Sequence, residues 1–328
     1  MFTESITGLH TDITSFLNMQ CFQDCRNLIG CYKNWVFHGI IISYLIRLFT
    51  EKREIMISII ASDLDETLLN TNKHVDAYTI EQIKKVSDQG IQFVCATGRP
   101  FISIQNTLKE IGLYDKENTY TISLNGACVT ENKNNRILYM QPMDHSLAEQ
   151  IYKIGLQYDV CVQVYTIDTV YAYRLNDDER DFLKGRMQVK EIHETDLTFL
   201  KDVPIMKVLY ENTSFDYLQS IDSSLPTNIR QACDLSYSSA RYFEFNKKGV
   251  HKGIGLKFLC DHLHIDINNS MAIGDNINDL GMLKTAGIAI GVKNLHPLIK
   301  DQVDHICPYT HNEDAVGHIL HDYVLIKK

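Results

Sequence analysis

The chain has 328 residues, 45% of them hydrophobic and 22% charged, which is ample for two domains with buried cores. The formal net charge of -9 and the pI of about 5.8 argue against a nucleic-acid partner, because no basic surplus is available to meet a phosphate backbone. The nine cysteines form no Cys-x-x-Cys pair and read as free thiols of a reducing compartment, the cytoplasm.

Residues 1–55 differ from the rest. Their charges balance, and the apolar stretch at 36–49 is broken by His38 and Arg47, too short and too polar for a membrane span. The chain start lacks the basic residues of a signal peptide. Two readings fit: a helical extension, or sequence upstream of a true start at Met56. The second is favoured, since Met56 directly precedes the first core strand.

From Ile55 the pattern is regular. Residues 55–61 form a near-continuous apolar run, as in a strand buried on both faces. Residues 76–89 predict a helix with Ile80, Ile83 and Val86 on one face and Gly90 as its stop. Residues 91–96 predict the next buried strand and 121–124 a third, so the fold class is α/β with a parallel, Rossmann-like sheet. Residues 144–243 change character. A helix carrying Leu147, Ile151, Ile154 and Tyr158 leads into a hairpin of 160–166 and 169–174, followed by strand-like runs at 204–210 and 241–245. The parallel pattern resumes at 271–273 and 287–290. The expectation is a core of residues 56–143 and 244–328 with an inserted α+β domain at 144–243.

Four features sit at the ends of these strands, where ligands of a parallel sheet bind. Asp63-Leu64-Asp65-Glu66-Thr67 sets two carboxylates one residue apart, a repulsion that a hard divalent cation such as Mg²⁺ relieves. Thr97-Gly98-Arg99 offers a hydroxyl and unhindered amides suited to a phosphate oxygen, though on its own it better suits an ordinary strand-to-helix turn. Lys252 can neutralise a phosphate and keep a carboxylate ionised; a lone lysine is more often a surface residue. Gly274-Asp275-Asn276-Ile277-Asn278-Asp279 adds a third carboxylate in Asp275, a donor in Asn278, and in Asp279 a group able to orient Lys252 or a metal-bound water.

Together the four segments resemble the four motifs of the haloacid dehalogenase superfamily. Ala96-Thr97-Gly98-Arg99, Leu124-Asn125-Gly126-Ala127 and the Gly-Asp-Asn-x-Asn-Asp run are similar to its Cof-type branch (subfamily IIB). The 34 positions between Asp63 and Thr97 leave no room for a cap, whereas the 155 between Thr97 and Lys252 do, which matches the α/β cap of that branch.

The resemblance implies a Mg²⁺-dependent phosphomonoester hydrolase acting through an aspartyl-phosphate intermediate. Asp63 would be the nucleophile and Asp65 the general acid and base. Asp63, the Asp65 carbonyl and Asp275 would hold Mg²⁺. Leu64 and Gly98 through their amides, with Thr97, Lys252 and Asn278, would hold the phosphate, supported by Asp279, Arg99 and Asn125. The partner implied is a small phosphorylated metabolite, a sugar phosphate or a cofactor-related phosphate, with no nucleic acid and no membrane, and the chain a monomer or homodimer. A phosphotransferase and a non-catalytic phosphate-binding protein remain as alternatives. Tyr165, Tyr171, Tyr173, Arg174 and Arg186 are candidate cap residues facing the site.

Overall fold

The computed structural model describes residues 56–184 and 188–326, and both the extension before Met56 and Arg186 lie outside them. The described residues belong to one compact unit.

The strands in chain order are β1 (Ile59–Ser62), β2 (Gln92–Ala96), β3 (Tyr120–Ser123), β4 (Cys128–Glu131), β5 (Arg136–Met140), β6 (Cys161–Tyr165), β7 (Val170–Tyr173), β8 (Val189–Ile192), β9 (Lys207–Glu211), β10 (Cys233–Ser238), β11 (Tyr242–Lys247), β12 (Ser270–Gly274), β13 (Ile288–Gly291) and β14 (His305–Ile306). Eight form one sheet in the order β14-β13-β12-β1-β2-β3-β4-β5. From β14 to β3 every neighbour is parallel; β4 and β5 add an antiparallel edge. The strand order reverses at β1, which lies between β12 and β2, and a parallel sheet opens a crevice at that point.

The apolar runs of the sequence follow from burial on both faces. Ile60, Phe93, Cys95, Met271 and Ile273 pack on one side of the sheet with the helix Ala77–Asp88. Their alternating neighbours Ile59, Ala61, Val94, Ala96 and Ala272 pack on the other, against Leu256 and Leu259 of the helix Lys252–Leu263.

The remaining six strands form a second sheet, β10-β11-β9-β6-β7-β8, inserted between β5 and β12. Its pairs are antiparallel except β7 with β8. Strand β11 pairs along its whole length, Cys233 opposite Lys247 and Lys207 opposite Asn246, so the boundary expected at 243/244 falls inside a strand whose ladder continues past it. One face is apolar: Val162, Val164, Val208, Tyr210, Phe243 and Phe245 pack on Ile151 and Tyr152 of the helix His145–Gly155 and on Leu218 and Ile221 of the helix Phe215–Ser224. The opposite face is mixed: the polar side chains of Gln163, Lys207, Glu211, Glu244 and Asn246 are buried there among Cys161, Tyr165, Leu209 and Tyr242. No described helix is long and apolar enough to cross a membrane.

Candidate active site

The carboxyl ends of β1, β2 and β12 converge on one cleft. Ladder hydrogen bonds run one residue past the strands, from the Asp63 amide to the Ile273 carbonyl (2.9 Å) and from the Thr97 amide to the Ile122 carbonyl (2.8 Å), so both residues are placed by the sheet itself. Asp275 follows β12 directly, and the Thr67 hydroxyl donates to its Oδ1 at 2.9 Å. Lys252 opens its helix and is completely buried. Its Nζ donates to Asp63 Oδ1 at 2.5 Å and to Asp279 Oδ1 at 2.6 Å. Gly126 seats this helix: at φ 88° it brings the loop after β3 so close that a Cβ there would lie 2.2 Å from the His251 carbonyl oxygen.

Asp63, Asp275 and Asp279 offer carboxylate oxygens within 4.8 Å of one another. Burial pushes Asp63 up to about 7, against the pull of Lys252 and with the further push of Asp279 and Asp65. Burial, then Asp63 and Asp279, push Asp275 well above the carboxylate range. Burial works against the charge of Lys252, yet Asp279 and Asp63 hold its ammonium above the ordinary lysine value. One lysine thus faces three buried acids. Asp279 is already engaged, one oxygen on Lys252 and the other on the Asp275 and Asn276 amides at 3.0 Å each. The excess negative charge therefore rests on Asp63 and Asp275. Two adjacent hard oxygen donors with uncompensated charge suit a hard divalent cation.

Asp65 turns elsewhere. Arg99 grips its carboxylate with Nε (2.7 Å) and Nη2, and Lys73 Nζ lies at 3.5 Å. The Arg99 amide donates to the Thr97 hydroxyl at 3.1 Å. The Leu64 side chain is buried in the core, so any contact it makes with a ligand is through its backbone. Asn125, at φ 55°, does not line the cleft with Asp63. Its amide donates to Glu244 (2.7 Å) and Asn246 (3.2 Å) of β11, tying the loop after β3 to the second sheet.

The cleft is lined by Asp63, Asp65, Thr97, Gly98, Arg99, Asp275 and Asn278 on one side. Tyr165, Phe182, Leu183, Lys207, Leu209, Ser238, Tyr242 and Glu244 line the other. Of the aromatic and basic candidates read from the sequence, Tyr165 is at the cleft. Tyr171 packs on Phe199, Tyr173 on Tyr152, and Arg174 donates to the Tyr158 and Leu156 carbonyls. Lys207 and Glu244 were missed. The signal was present as a lone charge inside each of two apolar strand runs, but nothing local says which face such a charge takes.

The region from 60 to 320 matches the model of the haloacid dehalogenase-like hydrolases, and the chain belongs to that family, as its four motifs led us to expect. A protein of Buchnera aphidicola is 30% identical over 254 residues, covering 76% of this chain and 90% of the relative. The 5-amino-6-(5-phospho-D-ribitylamino)uracil phosphatase YcsE of Bacillus subtilis is 24% identical over 278 residues, covering 84% of this chain and 99% of its own. The solved structure of a haloacid dehalogenase-like hydrolase from B. subtilis superposes with a TM-score of 0.72 at 22% identity, covering 81% of this chain and 99% of that one; it bears on the fold alone.

Proposed function

We propose that this protein is a Mg²⁺-dependent phosphatase that hydrolyses the phosphomonoester of a small metabolite, with Asp63 as nucleophile. The observation that carries the reading is the buried Asp63–Lys252–Asp279 chain at the end of β1, which fixes one carboxylate oxygen of Asp63 and aims the group along the strand into the cleft. A relative that is a phosphatase by name supports it.

Asp63 attacks phosphorus in line; the bond from phosphorus to the leaving oxygen breaks and an aspartyl-phosphate forms. Asp65 takes up a proton from solvent as it leaves Arg99, turns to the leaving oxygen and gives it that proton. Asp65 then takes a proton from a water that attacks the same phosphorus, freeing inorganic phosphate and restoring Asp63. Thr97, Lys252, Asn278 and the Leu64 and Gly98 amides hold the phosphoryl oxygens. Asp279 positions Lys252. Asp63, the Asp65 carbonyl and Asp275 would hold Mg²⁺, which when bound would neutralise the charge brought together by two acids and a phosphate. The second sheet serves as a cap over the leaving group, and the enzyme works in the cytoplasm on a sugar phosphate or a cofactor-related phosphate.

The test is phosphate release over a metabolite panel with Mg²⁺. EDTA should silence the wild type and added Mg²⁺ restore it. Asp63→Asn should lower kcat by about 10⁴-fold or more with its melting curve retained. Hydrolysis that survives exhaustive chelation, or an active Asp63→Asn variant, overturns the reading; isomerised sugar phosphate without free phosphate points to a phosphotransferase instead.

A further inference from the structure

Lys207 enters the cleft from the second sheet. It begins β9, where the register sets it between Tyr165 on β6 and Asn246 on β11, on the face turned away from Val208 and Tyr210. The side chain is buried and lies over the Tyr165 ring, 4.7 Å from its centroid. Its Nζ reaches the turn at the end of β2: a Cβ built on Gly98 would stand 3.6 Å from it.

An ammonium has three protons to place. One goes to Glu244 Oε2 at 2.6 Å, and no other hydrogen bond leaves Nζ among the described residues. Beside the same glycine, Asn125 Oδ1 is buried and receives no hydrogen bond. A buried ammonium short of partners is costly in an unliganded protein and complementary to a ligand oxygen. Glu244 cannot swing to serve that ligand, because Asn125 and Ser238 donate to it as well.

The rest of this wall makes Lys207 decisive. The Tyr165 hydroxyl donates to Gln163 Oε1 (3.1 Å) and the Tyr242 hydroxyl to Glu179 Oε1 (2.7 Å), so both residues offer rings to the cleft. Phe182, Leu183 and Leu209 are apolar. Lys207 is the one cation among the described residues that the second sheet brings to the cleft.

We propose that Lys207, fixed by its counter-ion Glu244, is a specificity-determining residue that donates a hydrogen bond to a hydroxyl or carbonyl oxygen of the leaving group. The inference rests on the hydrolase reading above. The phosphoryl oxygens are served there from the opposite wall, which leaves Lys207 for the part of the substrate that differs between esters.

The test compares the wild type, Lys207→Met and the double variant Lys207→Met/Glu244→Gln, which buries no lone charge and carries the result if the single variant unfolds. The substrates are oxygen-bearing esters (hexose 6-phosphates, pentitol 5-phosphates, pyridoxal 5′-phosphate) and phenyl phosphate, whose leaving group has no oxygen beyond the ester. Both variants should lose about 10- to 100-fold in kcat/KM on the best oxygen-bearing ester while phenyl phosphate changes by less than about threefold. An equal loss on both kinds of ester, or no loss on either, overturns the assignment. A wild type that cleaves only phenyl phosphate overturns it too but leaves the hydrolase reading standing; a wild type that cleaves no ester removes that reading and this inference with it.

Discussion

Two buried lysines meet at the cleft and are held in different ways. Lys252 starts a helix of the eight-stranded sheet's unit and lies between two carboxylates, Asp63 and Asp279. Lys207 sits in a strand of the inserted sheet with one carboxylate, Glu244, and a ring face. The first is braced by two carboxylates of its own protein, which makes a rigid site, and keeps one proton for a phosphoryl oxygen. The second keeps donor capacity for something that arrives. Under the proposed function, Lys252 belongs to a pre-assembled reacting end and Lys207 to a selecting end that its ligand completes.

The comparison can be broken most forcefully at Lys252. In EDTA, Lys252→Met strands Asp63 and Asp279 without a counter-charge, and urea unfolding should show a loss of about 3–5 kcal/mol together with loss of turnover. Stability unchanged within about 1 kcal/mol would mean that the two acids are protonated and that Lys252 is not their partner. Gly126→Ala comes next. At φ 88° and with 2.2 Å to the His251 carbonyl, the methyl must push the loop from the Lys252 helix, which should cost about 1–3 kcal/mol in the same assay and lower kcat. A variant as stable and active as the wild type would show that the reacting end is not locked by this contact.

The selecting end has its own titration. Among the described residues, Arg241 is the one guanidinium for three acids, Asp178 at 2.5 Å and Glu179 and Glu211 at 3.1 Å each. Glu179 is fully buried, and burial pushes it from 4.5 to about 7. The folded protein therefore holds the Glu179 proton more tightly than the unfolded chain does. That contribution is complete below 4.5 and is lost as pH rises through about 7. Unfolding followed from about pH 4 to pH 8 should show Glu179→Gln gaining on the wild type across this window. Parallel curves would place the proton on another group. The smallest effect is expected at Arg174, which holds the backbone carbonyls of Tyr158 and Leu156 away from the cleft. Arg174→Ala should leave kcat/KM within about threefold, and a larger loss would bring it into the selecting end.

Much of the reacting end was legible in the sequence because it is local. Asp63, Thr97 and Asp275 each follow a buried strand within a residue, and a parallel sheet brings its strand ends together whatever else the chain does. Details beyond strand ends were not legible. From the sequence Asp65 is one of two neighbouring acids that a cation would reconcile, yet its carboxylate is gripped by Arg99 across 34 positions of chain. The strand at 242–247 was cut in two, because its alternation of Phe243 and Phe245 with Glu244 and Asn246 does not announce which sheet it joins.

The sequence by itself determined the parallel core, the strand-end motifs and the family, since these depend on hydrophobic period and on short runs of contiguous residues. Tertiary structure alone decided the selecting wall. Lys207, Glu244 and Asn125 are far apart in the chain, and each is a single polar residue in an apolar setting. Strand register and the packing of one sheet against the other bring them to one turn, where burial makes each depend on the others.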